Sequence, residues 1–191
     1  MDNPKGILFI VSAPSGTGKT TIVKRILKEF PQIVYSVSAT TRKMRDNEKN
    51  GIDYFFFTEE EFKKKIEDGK FAEWEKFYDY YYGTFKKYIN ENLDSGKNVL
   101  LEIDVKGAIT IKEKYPDAVL IYIVPPSFEE LKIRLKNRQT EDEADFQKRI
   151  ERAELELRHK DKFDYFVNNL EIEKAVTDLK SLIKNKIKEK K

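Results

Sequence analysis

Apolar runs that are typical of strands alternate along this chain with segments of helical periodicity. The runs Ile7–Val11, Asn98–Ile103 and Ala118–Val124 are mostly apolar on consecutive positions, which is typical of strands buried on both faces of a parallel sheet. After the first run, apolar residues recur at helical spacing from Ile22 until Pro31 ends the helix. Because strands and helices alternate, the sequence predicts an α/β fold with a parallel sheet flanked by helices.

The stretch from residue 38 to residue 96 has a different character, since it is polar, aromatic and rich in turns. Within it, Asp53–Phe57 is typical of a strand, and Thr58–Glu61 is a capping box that begins a helix ended by Gly69. Residues 137–145 have no apolar stripe, so we expect them to be exposed and mobile. The two stretches predict an inserted α+β module and a helical lid on the α/β core.

Composition narrows the classes of protein to which the chain can belong. Its 37 basic and 34 acidic side chains give a net charge of only +3, whereas a nucleic-acid binder usually has a larger basic excess. Cysteine is absent, which excludes disulfides and thiolate chemistry. No apolar stretch approaches the roughly 20 residues that cross a bilayer, and no signal peptide precedes the first strand. We therefore expect a cytoplasmic protein without nucleic-acid or membrane partners. We also expect a monomer or weak homo-oligomer, although composition does not determine the oligomeric state.

The strongest chemical signal is the glycine-rich segment Ala13–Thr20, which lies between the first predicted strand and the first predicted helix. It fits the phosphate-loop pattern G-x-x-x-x-G-K-[S/T], except that Ala13 takes the place of the first glycine. The peptide N–H groups of such a loop surround a polyphosphate, while Lys19 reaches the terminal phosphates and the Thr20 hydroxyl binds Mg²⁺. The predicted nucleoside triphosphate site consists of Ala13, Pro14, Ser15, Gly16, Thr17, Gly18, Lys19, Thr20 and Thr21.

GTPases, ATPases and kinases share such a loop, and a second group of residues narrows the choice. Arg42 and Arg45 lie in an irregular, threonine-rich stretch, where two guanidinium groups can bind one doubly charged phosphate. Glu73 offers two acceptor oxygens that match the adjacent N–H donors of guanine, whereas adenine would leave the carboxylate unpaired. The Asn-Lys-x-Asp segment that reads guanine in GTP-hydrolysing switches is absent from the sequence. These residues favour a kinase that acts on a guanine nucleotide.

Two further carboxylates, Glu102 and Asp104, stand at the end of the second apolar run. A carboxylate inside an apolar strand is unfavourable unless it is paired or bound to a metal, and α/β sheets bind their ligands at the carboxyl ends of strands. We therefore predict that both residues contribute to the site.

Taken in order, these motifs resemble the guanylate kinase family over nearly the whole chain. The segments that carry the resemblance are Ala13–Thr20, Ser38–Arg45, Gly51–Tyr54, Glu73–Trp74, Tyr82–Thr84, Glu102–Gly107, Pro125–Ser127 and Arg134–Arg149. The resemblance implies the fold of P-loop NTPases. It also implies reversible transfer of the γ-phosphoryl group of ATP to GMP, with Mg²⁺ as cofactor and the two nucleotides as small-molecule partners.

The resemblance further implies a domain division and a role for individual residues. It implies a P-loop core at residues 1–37, 97–136 and 154–191, a GMP-binding insertion at residues 38–96 and a lid at residues 137–153. The catalytic residues that it implies are Lys19, Arg42, Arg138 and Arg149. The substrate-binding residues are Ser38, Arg42, Arg45, Tyr54, Glu73, Tyr82, Thr84, Glu102 and Asp104, and the metal ligands are Thr20 and Glu102.

The chain departs from the family pattern at Glu102, Met44 and Gln139, where family members usually have Asp, Pro and Gly. Two other functions stay open at this point. One is a non-catalytic domain of guanylate kinase type that binds peptides, although such a domain would not need the phosphate loop, Lys19 or the lid arginines. The other is a related P-loop kinase for another phosphorylated small molecule.

Overall fold

A computed structural model describes residues 4–77, 79–136 and 143–190. For residues 143–145 it describes the backbone alone. The strands are β1 (Leu8–Ser12), β2 (Val34–Tyr35), β3 (Ala39–Thr40), β4 (Phe55–Phe56), β5 (Phe71–Phe77), β6 (Tyr80–Phe85), β7 (Val99–Glu102), β8 (Val119–Val124) and β9 (Tyr165–Asn168). The helices are α1 (Lys19–Glu29), α2 (Glu59–Glu67), α3 (Lys86–Asp94), α4 (Val105–Lys114), α5 (Phe128–Lys136), α6 (Glu143–Arg158) and α7 (Ile172–Glu189).

The central feature is a five-stranded sheet in the order β2-β7-β1-β8-β9. Its strand pairs are parallel, with Phe9 opposite Val119 and Ile121 opposite Tyr165. Every residue of β1 is buried, because both faces of the sheet are covered and the apolar side chains alternate between them. The predicted α/β class with a parallel sheet flanked by helices is confirmed.

Helix α1 has the amphipathic pattern that the sequence predicts, and α7 has a pattern of the same kind. Ile22 and Ile26 of α1 are buried, and the helix ends at Glu29, two residues before Pro31. In α7 the buried residues are Ala175, Val176, Leu179 and Ile183. Apolar residues at this spacing form one stripe along a helix, which packs against the core while the charged residues face water.

A second sheet has the strand order β4-β3-β6-β5. Its core contains Phe62 of α2 stacked on Phe71 of β5, with ring centroids 4.5 Å apart. A Cβ atom on Gly83 of β6 would lie 3.0 Å from the Phe62 ring, so this glycine allows the ring to pack directly on the strand. The predicted capping box at the start of α2 is confirmed, since Thr58 and Glu61 each accept a hydrogen bond from the other's backbone N–H.

The described residues divide into two compact units. The first unit contains the residues up to Leu8, Gln32–Leu101 and Thr110–Ala118, and the second contains Phe9–Pro31, Glu102–Ile109 and the residues from Val119 onward. The sheet β4-β3-β6-β5 belongs wholly to the first unit. The division into a core, an insertion at 38–96 and a lid at 137–153 stays a prediction.

Candidate functional site

The phosphate loop of the second unit lies between the end of β1 at Ser12 and the start of α1 at Lys19. Gly16 and Gly18 both have positive φ, at 87° and 88°, a conformation that residues with a Cβ atom rarely adopt. A Cβ atom on Gly16 would also come within 3.1 Å of the Leu135 side chain. No acidic residue lies in the first turn of α1, and no side chain caps its N-terminus, which leaves the positive end of the helix dipole suited to an anion.

The loop is held by Asn169, a residue that the sequence analysis did not single out. The Asn169 side chain is buried and donates a 2.6 Å hydrogen bond to the main-chain carbonyl of Thr17. This bond fixes the direction of one loop carbonyl, because an amide N–H cannot turn away from its acceptor without being left unsatisfied. The position of Asn169 directly after β9, at the carboxyl end of a parallel strand, is the signal that could have indicated it.

The carboxyl end of β7 brings together two loop side chains. The Thr20 hydroxyl donates a 2.5 Å hydrogen bond to Glu102 Oε1, and Lys19 Nζ donates one of 2.7 Å to the main-chain carbonyl of Ile103. The hydroxyl and the carboxylate are oxygen ligands of the kind that Mg²⁺ binds, so Thr20 and Glu102 fit the ion. No group of three or more His, Cys, Asp or Glu side chains suited to a metal occurs in the part of the chain that the structure describes.

Asp104 follows in the same segment and has partners on two helices, a hydrogen-bond donor on α4 and an ion-pair partner on α6. Its Oδ1 accepts a 2.8 Å hydrogen bond from the N–H of Gly107 in the first turn of α4. The same oxygen lies 3.6 Å from the Arg152 guanidinium on α6. The structure therefore places Lys19, Thr20 and the predicted carboxylates of β7 in one region of the second unit.

Helix α6 contributes a buried ion pair that the sequence analysis missed. Arg152 Nε donates a 2.9 Å hydrogen bond to Glu156 Oε1, while Glu156 Oε2 has no hydrogen-bond partner in the structure described. Burial raises the pKa of Glu156, and the hydrogen bond from Arg152 offsets this only in part. Arg149 lies half-buried on the same helix. Arg138, the other predicted lid arginine, lies outside the described residues.

In the first unit, Arg42 is held by Glu48, which the sequence analysis did not select. Arg42 donates a 2.7 Å hydrogen bond to Glu48 Oε1, and the N–H of Arg45 donates one of 2.9 Å to Glu48 Oε2. The Arg42 guanidinium also lies 5.5 Å from the centroid of the Tyr54 ring, within the range of a cation–π interaction. The hydrogen bond from Arg42 lowers the pKa of the Glu48 carboxyl.

The remaining predicted acceptor-site residues lie on the small sheet. Glu73 of β5 is buried and accepts a 2.6 Å hydrogen bond from the hydroxyl of Thr84 on β6. The Tyr82 ring on β6 lies edge-on to the Tyr54 ring, with centroids 6.2 Å apart, and the carbonyl of Ser38 accepts a hydrogen bond from Phe55. The first unit therefore contains Ser38, Arg42, Arg45, Tyr54, Glu73, Tyr82 and Thr84.

The match with a protein family decides between the functions that the sequence left open. A family model described as Guanylate kinase matches residues 5–186. The chain belongs to the guanylate kinase family. Guanylate kinases from Thermotoga maritima and Caldanaerobacter subterraneus are each 46% identical to it, over 95% and 94% of this chain and 87% of their own lengths. The crystal structure of guanylate kinase from Anaplasma phagocytophilum matches with a TM-score of 0.80 and 31% identity, covering 96% of this chain and 87% of that one.

Membership in the guanylate kinase family confirms the predicted resemblance and the predicted fold. It does not favour the non-catalytic alternative, and the chain keeps the loop and Lys19 that such a domain would not need. Among the helices described, none combines the length and the apolar character that a membrane crossing requires.

Proposed function

We infer that the chain is a phosphotransferase that moves the γ-phosphoryl group of ATP reversibly to GMP, giving ADP and GDP. One observation carries this conclusion. The family match runs from residue 5 to residue 186 and therefore includes both the phosphate loop and the segment from Ser38 to Thr84. A kinase of this type needs a site for each nucleotide, and both sets of residues are present.

We assign ATP to the glycine-rich loop and the end of β7. The loop N–H groups and the N-terminus of α1 bind the phosphates, and Lys19 turns from the carbonyl of Ile103 to the terminal phosphates. Thr20 and Glu102 are the residues that would hold Mg²⁺, which when bound neutralises negative charge on the phosphate oxygens. This assignment is supported by the short hydrogen bond that already joins Thr20 to Glu102.

We assign GMP to the first unit. Arg42 and Arg45 bind its phosphate together with the hydroxyl groups of Ser38, Tyr54 and Tyr82, since guanidinium groups match phosphate oxygens in charge and geometry. Glu73 and Thr84 bind the guanine base, and Glu102 and Asp104 of the second unit stay predicted substrate-binding residues. Adenine would leave the buried carboxylate of Glu73 without its N–H donors, which is a heavily penalised mismatch.

The chemistry requires positioning and positive charge more than proton transfer. The attacking oxygen of GMP belongs to a phosphate that is ionised at neutral pH, so a strong general base is not required. The barrier is the approach of two anions in line, which cations lower. We propose that Lys19 acts on the donor side, Arg42 on the acceptor side, and Arg138 with Arg149 on the transferring group.

The deciding experiment measures ADP release from ATP with GMP, AMP, CMP and UMP as acceptors, with and without Mg²⁺. We expect turnover with GMP, far lower turnover with the other monophosphates and a requirement for the ion. Equal rates with all acceptors, or ATP hydrolysis that does not depend on GMP, would contradict the proposal. A cytoplasmic location, a monomeric or weakly oligomeric state and the lack of nucleic-acid and membrane partners stay predictions.

A further inference from the structure

Three consecutive residues at the end of β7 receive side chains from two other parts of the second unit. Glu102 accepts a hydrogen bond from Thr20, and the carbonyl of Ile103 accepts one from Lys19. The next residue, Asp104, pairs with Arg152 of α6. The segment that contacts the catalytic side chains of the loop is therefore also connected to the helix that carries Arg149.

Arg152 is well placed to fix this segment, because its planar guanidinium contacts two carboxylates at once. Its Nε atom donates to Glu156 Oε1 at 2.9 Å, and its terminal nitrogen lies 3.6 Å from Asp104 Oδ1. The Arg152 side chain is only 20% exposed and that of Glu156 only 9%, so the pair is poorly screened by solvent. The rigid, planar fork of the guanidinium sets the spacing of these two contacts.

Asp104 has little freedom once both of its contacts are formed. The N–H of Gly107 holds Oδ1 from the start of α4, and Arg152 approaches the same oxygen from α6. A change in Asp104 must also move Ile103, its neighbour in sequence, whose carbonyl accepts from Lys19. Arg152 can therefore influence the loop side chains without contacting them.

We propose that Arg152 is a positioning residue of the ATP site: held by Glu156, it fixes Asp104 and through it the segment Glu102–Asp104 that faces Lys19 and Thr20. The inference rests on the proposed function, since it names a further residue that supports the same ATP site. Arg152 is distinct from the catalytic arginines because its partners are protein carboxylates rather than phosphate oxygens.

The test compares Arg152→Ala, Arg152→Lys and, as a matched control, Arg158→Ala. Arg158 lies on the same helix and is exposed. For Arg152→Ala we expect the KM for ATP to rise about tenfold, below the roughly hundredfold loss that misplaced catalytic groups can cause. The KM for GMP should rise by a smaller factor, because Glu102 and Asp104 are also predicted substrate-binding residues. Arg152→Lys should recover part of the loss because it keeps the charge near Asp104 but cannot form the fork.

A purely structural role gives a different result. If Arg152 only stabilised α6, the KM for ATP, the KM for GMP and kcat of Arg152→Ala would all change in proportion to the fall in Tm. Arg152→Lys would then show the same proportion between its kinetic loss and its fall in Tm. That outcome, or Arg152→Ala kinetics equal to those of Arg158→Ala, would overturn the proposal.

Direct binding of ADP separates this inference from the proposed function. Calorimetric titration of the same variants with ADP does not depend on turnover. If the wild-type protein fails to phosphorylate GMP, the proposed function is wrong. Even then, an ADP affinity that is about tenfold weaker in Arg152→Ala and unchanged in Arg158→Ala supports the positioning role, and equal affinities contradict it.

Discussion

The Thr84 hydroxyl and the Glu73 carboxylate are joined by a 2.6 Å hydrogen bond inside the small sheet, where both residues are buried. The two residues lie opposite each other on β6 and β5, so the strand register fixes the pair. Burying a carboxylate is unfavourable unless donors surround it. We infer that this bond orients the Glu73 carboxylate for the guanine base.

Replacement of Thr84 by valine tests this relationship, because valine has nearly the same shape but lacks the hydroxyl. We expect the free energy of unfolding to fall by roughly 1–3 kcal/mol, the usual effect of removing a partner from a buried polar group, and the KM for GMP to rise. Urea unfolding at neutral pH and steady-state kinetics measure the two effects. Thr84→Ser keeps the hydroxyl and should therefore have a free energy of unfolding and a KM for GMP close to those of the wild type. An unchanged unfolding midpoint for Thr84→Val would show that the bond does not support the carboxylate.

Lys19 is expected to act in turnover more than in stability. Its ammonium group contacts a main-chain carbonyl, and in the proposed reaction it moves to the phosphates. Lys19→Ala should lower kcat at least about a hundredfold, as expected for loss of a charge that stabilises the transition state, and should leave the circular dichroism spectrum unchanged. The exposed Lys28 of the same helix provides the control, and Lys28→Ala should remain active. Near-normal turnover of purified Lys19→Ala would refute the role.

The sequence predicted β1, β7 and β8 of the large sheet and the phosphate loop because their signals are local. An apolar run such as Ala118–Val124 is sufficient to indicate a buried strand, and the glycines and Lys19 of the loop stand next to each other in the chain. By contrast, β3 and α3 were not predicted. Strand β3 has only Ala39 and Thr40, and α3 buries only Ile89 and Leu93, which is too short a pattern to recognise.

The contacts of the supporting residues were not predicted because their partners are distant in sequence. Asn169 and Thr17 are 152 positions apart, and the chain between them carries no sign of their contact. In the sequence, Glu48 and Glu156 resemble ordinary surface carboxylates, but the fold partly buries Glu48 and buries Glu156.

Arg149 is predicted to act on the transferring phosphoryl group. Because a positioned arginine can supply a rate factor of roughly 10³ to 10⁵ in phosphoryl transfer, Arg149→Ala should lower kcat at least about a hundredfold with a small effect on Tm. Arg158→Ala on the same helix is the control for general effects on α6. Single-turnover measurements should assign the loss to the chemical step. A variant whose kcat stays within a few-fold of the wild type would remove Arg149 from the mechanism.

Glu48 should make stability rise with pH in the acid range. The hydrogen bond from Arg42 lowers the pKa of Glu48 in the folded state below its ordinary value of 4.5. The folded state therefore binds this proton less tightly than the unfolded state, and the stabilisation is present above pH 4.5 and lost as the pH falls through the folded pKa. Urea unfolding of wild type and Glu48→Gln should give a difference in the free energy of unfolding that is largest near neutral pH and becomes smaller in acid. A constant difference would contradict the assignment.

Glu156 should produce the opposite pH dependence. Burial raises its pKa in the folded state, the positive charges of Arg152 and Lys19 do not reverse the shift, and the negative charge of Asp104 adds to it. The folded state then binds this proton more tightly, so the wild type loses stability relative to Glu156→Gln as the pH rises from 4.5 through the raised pKa. Urea unfolding of the two proteins at intervals between about pH 4 and pH 8 measures the difference. If the wild type instead gained stability over this interval, the effect of Arg152 on the pKa of Glu156 would exceed the effect of burial. Glu156 would then be an ordinary ion-paired carboxylate.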